Sequence, residues 1–198
     1  MLCLLYNNLS QFLQIGVEHL EAHEAMNDVQ SIHLAYSLLS QLAPTTHFDI
    51  QINTLGDLES RQNYRTVLGN YLNQHLSTLS PLSQTRIARG SIMRVLDSKE
   101  AQDQDILPAA PSLLDSLSPA SRIRFQHVQA GLDALQIPYT VNPRIVRGLD
   151  YYNDTCFEIV ARGESQSCNQ FNVAAEQAVI AGGRYDQLSV SLGHKKSI

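Results

Sequence analysis

The sequence is poor in residues that mark several common protein classes. Its three cysteines, Cys3, Cys156 and Cys168, show no Cys-x-x-Cys spacing, which argues against a disulfide framework or a cysteine zinc site and fits a reducing compartment. Basic residues are scarce, with 14 Lys and Arg against 19 Asp and Glu, so the net charge is −5. This balance argues against a surface that is basic throughout, as in a nucleic-acid clamp, although a local basic patch could still contact RNA.

Long apolar runs are also missing. The apolar stretch at 1–6 is too short to span a bilayer and has neither a basic n-region nor a cleavage site. No arginine precedes Arg61, which argues against an Arg-rich transit peptide. We therefore expect a soluble cytoplasmic protein without membrane contact, with an organellar matrix left open as the alternative.

An ordinary globular mix is present, with 43% hydrophobic and 17% charged residues. Apolar and polar residues alternate over 11–20, which predicts a strand with Gln14 and Glu18 on one face. Two polar residues on such a strand fit either a solvated face or a ligand cleft. Nearby His19, His23 and Glu24 lack the spacing of a zinc-protease motif, so we predict no metal site.

Further periodic segments predict an alternation of helices and strands. A helix is predicted over 24–42 and a strand over 48–52, while Asp57 and the Ser118-Pro119 pair each mark the start of a helix. Three more strand-like segments follow Pro138, namely 139–141, 155–161 and 173–180. Without a steady βαβ rhythm, this order predicts an α+β domain with a mostly antiparallel sheet.

The stretch from about 80 to 118, broken by Pro81, Pro108 and Pro111, holds only short helical patterns and is typical of an inserted helical subdomain. We accordingly divide the chain into a first part of a core domain (1–56), a helical insertion (57–120) and a second part of that core (121–198).

Two short motifs carry the sharpest chemical signals. Arg147, followed by a glycine and by Tyr151 and Tyr152, forms a compact set of donors, and an arginine fork suits a phosphate. A plain loop with an Arg147–Asp150 ion pair is the alternative. Gly182 and Gly183 follow an apolar segment and lack the pattern of a P-loop or dinucleotide fingerprint, so they mark either a turn or a place where a flat ligand approaches the backbone.

Taken in order, these segments resemble histidyl-tRNA synthetase, a class II aminoacyl-tRNA synthetase, over nearly the whole chain. The segments that carry the resemblance are Gln11-Phe12-Leu13-Gln14-Ile15-Gly16-Val17-Glu18, Ile52-Asn53-Thr54-Leu55-Gly56, Arg94-Val95-Leu96-Asp97-Ser98-Lys99, Val146-Arg147-Gly148-Leu149-Asp150-Tyr151-Tyr152 and Gly182-Gly183-Arg184-Tyr185-Asp186. The first is similar to the second strand of motif 2, and the last two are similar to the histidine-specific motifs.

The resemblance implies ATP-dependent activation of histidine to histidyl-adenylate and transfer to tRNA(His) by a homodimer, with Mg²⁺ accompanying ATP. It implies a catalytic and ATP-binding role for Arg147, which would stabilise charge at the α-phosphate. It also implies that histidine is bound by Gln14, Glu18, Tyr151, Tyr152, Gly182 and Gly183.

Some family features are missing from this sequence. Ser10 occupies the place of a motif 2 arginine, and motif 1, motif 3 and the anticodon-binding domain are not found. We therefore expect this chain alone to have little or no synthetase activity. Two non-catalytic relatives are the alternative functions, namely the regulatory subunit of ATP phosphoribosyltransferase and a sensor of uncharged tRNA. The insertion argues against the former, and the combination of Gln14, Glu18, Arg147 and Tyr152 argues against the latter.

Overall fold

The computed structural model of the chain describes residues 3–6, 9–12, 14–145, 151–162 and 178–193, and its strands form a hairpin and a larger sheet. The hairpin pairs β1 (Cys3–Tyr6) with β2 (Leu9–Phe12). The larger sheet comprises β3 (His47–Thr54), β4 (Thr140–Val141), β5 (Asn153–Arg162) and β6 (Ala178–Arg184). Its order is β4-β3-β5-β6, and only the β3–β4 pair is parallel. The predicted α+β fold with a mostly antiparallel sheet is therefore confirmed.

The described helices begin largely where local capping signals predict. They are α1 (Ala25–Leu42), α2 (Leu58–Gln74), α3 (Pro81–Ala88), α4 (Ala101–Ile106), α5 (Pro119–Ala134) and α6 (Leu188–Ser191), with 3-10 turns at Ile92–Asp97, Leu107–Ala109 and Leu113–Ser116. The Asp57 carboxylate accepts from the Ser60 amide, and the Ser118 hydroxyl accepts from the Ser121 amide, so both predicted caps are confirmed. No helix in these described ranges is long and apolar enough to cross a membrane.

One hydrophobic cluster lies between the sheet and the helix pair α1 and α5. Alternate residues of β3 and β5 face this layer because successive strand residues point to opposite faces, and they include Ile50, Ile52 and Ile159. From α1, Val29 and Ile32 complete the layer, and both are fully buried. Helix α1 thereby rests directly on the strands that carry the candidate site.

A second hydrophobic cluster holds α2 and the short helices together. Tyr64 and Leu68 of α2 pack with Val95 and Leu113 from the connecting 3-10 turns. The Tyr64 hydroxyl donates to the Pro111 carbonyl at 3.0 Å, and burial raises the pKa of this phenol to about 12. The predicted short helices between 80 and 118 are confirmed, while the three-part division at 56 and 120 stays a prediction.

The predicted strand over 11–20 is wrong beyond its first residues. Strand β2 ends at Phe12, and residues 14–19 lie outside any helix or strand. Alternating polarity describes a strand only when a neighbouring backbone completes the hydrogen bonds, and no strand in the described ranges pairs with 14–19. Two residues of the predicted apolar face are exposed, Ile15 at 90% and Val17 at 72%.

The prediction that Gly182 and Gly183 follow a strand also needs correction. Strand β6 runs from Ala178 to Arg184, so both glycines lie inside the strand and pair with Phe157 and Cys156 of β5. The remainder of the predicted strand over 173–180, residues 173–177, lies outside the described residues. A glycine pair within an edge strand removes side chains from both faces of the sheet at one point.

Candidate functional site

Three tyrosines meet beside the end of β6, and we call Tyr151, Tyr152 and Tyr185 the tyrosine cluster. The rings of Tyr151 and Tyr152 have centroids 4.8 Å apart with planes tilted by 31°. Tyr185 meets both edge-on, at centroid distances of 6.2 and 6.3 Å. All three side chains are half-buried, so their phenol groups remain within reach of a small ligand. The Arg61 side chain of α2 fixes this corner by donating to the Tyr152 carbonyl at 3.0 Å.

The glycine pair of β6 faces both sides of the sheet. A Cβ on Gly182 would lie 2.7 Å from the ring of Phe157, which belongs to the hydrophobic core. A Cβ on Gly183 would lie 2.9 Å from the ring of Tyr152 and 2.8 Å from the Thr155 carbonyl oxygen. Gly183 therefore faces the tyrosine cluster, whereas Gly182 faces the hydrophobic core and leaves room for the Phe157 ring.

Directly after Gly183, Arg184 makes a set of contacts that we call the Arg184 clamp. Its side chain is only 3% exposed and forms ion pairs with Asp28 of α1 at 2.9 Å and with Asp186 at 2.8 Å. The same guanidinium donates to the backbone carbonyls of Ala22 and Glu24, which precede α1. One side chain thus joins the glycine strand to the segment that leads into α1.

Asp28 is the less exposed of the two carboxylates in this clamp, with 11% of its side chain exposed against 28% for Asp186. Burial raises the pKa of Asp28 above its usual 3.8, and this effect outweighs the opposing influence of Arg184 and of the hydrogen bond from Thr155. The Thr155 hydroxyl donates to Asp28 at 2.7 Å, so the carboxylate is bonded from both β5 and β6. The carboxylate therefore ties α1 to two neighbouring strands.

An irregular start to β5 arranges the polar groups between the clamp and helix α5. Asp154 has a positive φ of 44°, uncommon outside glycine, and the strand pairing shifts between Asn153 and Cys156. The Asn153 amide group donates to the carboxylate of Asp186 at 3.1 Å, and its carbonyl oxygen accepts from the Asp186 amide. On the other side, the Ser121 hydroxyl donates to Asp154 at 3.0 Å, which links the start of α5 to this network.

A cleft of about 460 Å³ lies beside the clamp rather than at the tyrosine cluster. Its lining combines acidic groups with two basic ones and includes Glu24, Asp57, Asp154, Arg124 and His127. The mixture gives no single sign of charge for a ligand to match. We therefore centre the candidate site on the tyrosine cluster and Gly183.

The residues predicted from sequence are brought together only in part. Tyr152 and Gly183 are in the same corner, and Tyr151 stacks on Tyr152, whereas Gln14 and Glu18 lie on an exposed segment without strand pairing. Arg147, the predicted catalytic and ATP-binding residue, lies outside the described residues. The site roles of all seven residues stay predictions.

Arg184, Asp28 and Tyr185 were missed as members of the site. Arg184 and Tyr185 stand within the second histidine-like motif, where the tyrosine next to a glycine pair was the available signal. Asp28 gave no such signal, because an acid in the first turn of a helix is explained by the helix dipole alone.

The fold places the chain among the catalytic domains of class II aminoacyl-tRNA synthetases. It superposes on a crystal structure of apo histidyl-tRNA synthetase from S. aureus with a TM-score of 0.63 and 27% identity, covering 88% of this chain and 40% of that one. The family model for histidyl-tRNA synthetase matches residues 6–197. The chain therefore belongs to the histidyl-tRNA synthetase family.

Sequence relatives agree with this assignment. The histidine–tRNA ligase of Parasynechococcus marenigrum (strain WH8102) is 46% identical over 183 residues, which cover 92% of this chain and 40% of that protein. That of Rhodospirillum rubrum is 42% identical over 185 residues, covering 93% and 42%. These matches favour the synthetase reading over a regulatory subunit or an RNA sensor. The chain spans roughly two fifths of the length of these relatives.

Proposed function

We propose that this chain carries the histidine pocket of a histidine–tRNA ligase. In that reaction histidine and ATP give histidyl-adenylate and pyrophosphate, and the histidyl group then passes to tRNA(His). The observation that carries the proposal is the contact of Tyr152 with the side-chain-free face of Gly183, in a chain of this family. Because Gly183 has no side chain, the Tyr152 ring packs directly against the strand, and the phenols of the tyrosine cluster lie beside it as hydrogen-bonding groups for a small flat ligand.

Recognition of histidine rests on its two ring nitrogens. A neutral imidazole has one donor and one acceptor, so its pocket needs an acceptor and a donor at opposite edges. Glu18 would accept from the ring N–H, while Tyr151 or Tyr152 would donate to the other nitrogen. Gln14 would hold the α-amino group, and Gly182 and Gly183 would form the floor. An apolar ring such as that of phenylalanine would leave these groups unpaired, which polar pockets reject by factors of about 10⁴ in favourable cases.

Arg147 is the proposed catalytic and ATP-binding residue. Attack of the histidine carboxylate on the α-phosphate builds negative charge, and a guanidinium already in place stabilises that charge more than the ground state. Arg147 precedes Tyr151 by four positions in the sequence, and a stretch of that length spans at most about 14 Å. Arg147 can therefore act on the same ligand as the tyrosine cluster.

The other partners follow from the family rather than from contacts. Mg²⁺ would accompany the ATP phosphates. Within the described ranges, no group of three or more His, Cys, Asp or Glu side chains is placed to hold a metal ion. We further propose that the complete enzyme is a cytoplasmic homodimer, and that residues 57–120 form its helical insertion.

Binding of L-histidine to the 198-residue chain tests the pocket directly. We expect saturable heat in isothermal titration calorimetry with L-histidine and none with L-phenylalanine. Glu18→Gln and Tyr152→Phe should each raise Kd by about tenfold or more, because each removes one ring contact worth about 1.4 kcal/mol or more. Glu59→Gln, an exposed carboxylate on α2, serves as the matched control and should leave Kd unchanged. Equal binding of both amino acids would refute the proposed pocket.

A further inference from the structure

The Arg184 clamp connects two separate parts of the proposed pocket. On one side it holds the carbonyls of Ala22 and Glu24, at sequence separations of 162 and 160 residues. Glu18 precedes Ala22 by four residues, which span at most about 14 Å, so the clamp limits where the Glu18 carboxylate can lie. On the other side Arg184 is bonded directly to Gly183, whose open face meets Tyr152.

The clamp uses all three nitrogens of the arginine guanidinium. Nε donates to Asp28, Nη1 donates to Ala22 and Asp186, and Nη2 donates to Glu24 and forms the ion pair with Asp28 at 2.9 Å. A lysine ammonium carries three donors on a single nitrogen and cannot span these acceptors. A buried ion pair alone adds little stability over well-packed apolar side chains, so bonds aimed at two backbone carbonyls fit a geometric role.

Among the described residues, few other contacts hold the segment that the clamp fixes. Residues 14–21 have side chains that are all exposed and form no helix or strand. The segment turns at Glu21, which has a positive φ of 56°, and immediately enters the clamp at Ala22. Arg124 of α5 adds one exposed bond, at 2.9 Å, to the His23 carbonyl. The hydrogen bonds to the carbonyls at 22–24 thus anchor the segment 14–21 to the rest of the fold.

We propose that Arg184 is a positioning residue for the histidine pocket, because it fixes the segment bearing Gln14 and Glu18 against the glycine strand. This inference rests on the proposed function for its ligand, while the fixing of the segment is a separate physical claim. Arg184 acts through the backbone of Ala22 and Glu24 and contacts neither histidine nor ATP in this scheme.

Hydrogen exchange and histidine binding, measured on the same variants of the full chain, test both claims. For Arg184→Lys we expect faster amide exchange within 14–24, unchanged exchange in α2, and at least a tenfold higher Kd for L-histidine by calorimetry. Arg162→Lys is the matched control, because Arg162 also pairs with an aspartate on the sheet but is 54% exposed. It should match the wild type in both measurements.

The outcomes separate the clamp from the pocket. Wild-type exchange at 14–24 together with wild-type Kd in Arg184→Lys would overturn the positioning role. A wild-type chain that binds no histidine would overturn the proposed function, and the exchange data would still decide whether Arg184 fixes 14–24. Should Arg184→Lys not fold, Asp28→Asn weakens the same clamp without a change of size. Faster exchange at 14–24 and weaker binding in that variant would support the proposal, and wild-type values in both would refute it.

Discussion

Gly183 and Tyr152 approach so closely that no other residue fits at position 183 without displacing the ring. A Cβ there would lie 2.9 Å from Cδ1 of Tyr152 and 2.8 Å from the backbone oxygen of Thr155. Gly182 stands in the opposite orientation, with its open face against the ring of Phe157. Gly183 thus allows close packing at the candidate site, and Gly182 allows close packing in the hydrophobic core.

Alanine at each glycine should therefore have different consequences. Gly183→Ala should displace Tyr152 and raise the Kd for L-histidine by about tenfold or more, equivalent to at least about 1.4 kcal/mol. Gly182→Ala should overpack the core and lower the free energy of unfolding by about 1–3 kcal/mol, with a smaller effect on Kd. Calorimetric Kd and urea unfolding of both variants provide the comparison. Stronger loss of histidine binding in Gly182→Ala than in Gly183→Ala would contradict this assignment of faces.

Local signals explain which parts of the fold could be predicted from the sequence. Caps act over three residues, so Asp57 and Ser118 mark helix starts without knowledge of the rest of the fold. The 48–52 strand is also local, because its alternation matches a pleat with one buried face. The same alternation at 11–20 misled the prediction, since a strand also requires a partner and none of the described strands pairs with 14–19.

The candidate site divides in the same way. Tyr151, Tyr152, Gly182 and Gly183 stand out as short motifs, so sequence alone selected them. The pairing of Asp28 with Arg184 crosses 156 residues and leaves no pattern near either residue. Because the clamp depends on how α1 packs against β6, it could be recognised only from three-dimensional structure.

Removal of the Arg184 cation should make stability strongly pH-dependent. Burial already raises the pKa of Asp28 above 3.8, and Arg184 is the largest influence opposing that rise. In Arg184→Met the pKa of Asp28 should rise further, because the carboxylate stays buried without its cation. A raised folded-state pKa gives stability that is present below the unfolded value near 3.8 and is lost as pH rises through the folded value.

The free energy of unfolding of Arg184→Met should accordingly be about 3–5 kcal/mol lower than that of the wild type near pH 7. This deficit should narrow as pH falls toward 4. Urea unfolding across this pH range measures the effect. The double variant Arg184→Met with Asp28→Asn should recover part of the loss at pH 7, since no buried charge remains. Arg162→Met, at an exposed ion pair, is the control and should show no comparable pH dependence. A deficit that grows toward pH 4 would contradict the sign of this argument.

Asp103 should show the opposite pH dependence. Its carboxylate is 0% exposed and accepts from the Ser80 amide and from the hydroxyls of Ser80, Ser83 and Ser98. Burial acts to raise the pKa of Asp103, but these hydrogen bonds outweigh burial and hold it below 3.8. A lowered folded-state pKa gives stability that is present above the unfolded value and is lost as pH falls through the folded value.

Asp103→Asn should therefore lower the free energy of unfolding by about 1–3 kcal/mol at neutral pH, because an amide nitrogen cannot accept from the serine hydroxyls. The difference from the wild type should shrink as pH falls below about 4, because the carboxylate of the unfolded chain protonates there before that of the folded chain. Thermal unfolding of both chains between pH 3 and 7 tests this. Asp105→Asn, an exposed change on the same helix, should stay within about 0.5 kcal/mol of the wild type. A constant difference at all pH values would show that the charge of Asp103 is not involved.

Helix α5 meets α1 at Gly131, where a Cβ would lie 2.8 Å from Cγ2 of Val29. Alanine in a helix interior normally gains up to about 1 kcal/mol over glycine. At this position overpacking should cost about 1–3 kcal/mol, since Val29 is fully buried and cannot withdraw, so Gly131→Ala should be destabilising. Gly69→Ala in α2 is the matched control: its nearest neighbour is the side-chain tip of Ile92 at 3.3 Å, so this variant should be neutral or stabilising.

A double-mutant cycle distinguishes a clash with Val29 from a general effect on α5. Val29→Ala alone should destabilise the chain by leaving a cavity, and Gly131→Ala should then fill part of the space that the valine vacates. The coupling free energy between positions 29 and 131, measured by urea unfolding, should be favourable by at least about 0.5 kcal/mol. If the effects of the two changes on the free energy of unfolding simply add, the destabilisation in Gly131→Ala does not arise from a clash with Val29. The close approach of α1 and α5 at this point would then not be its cause.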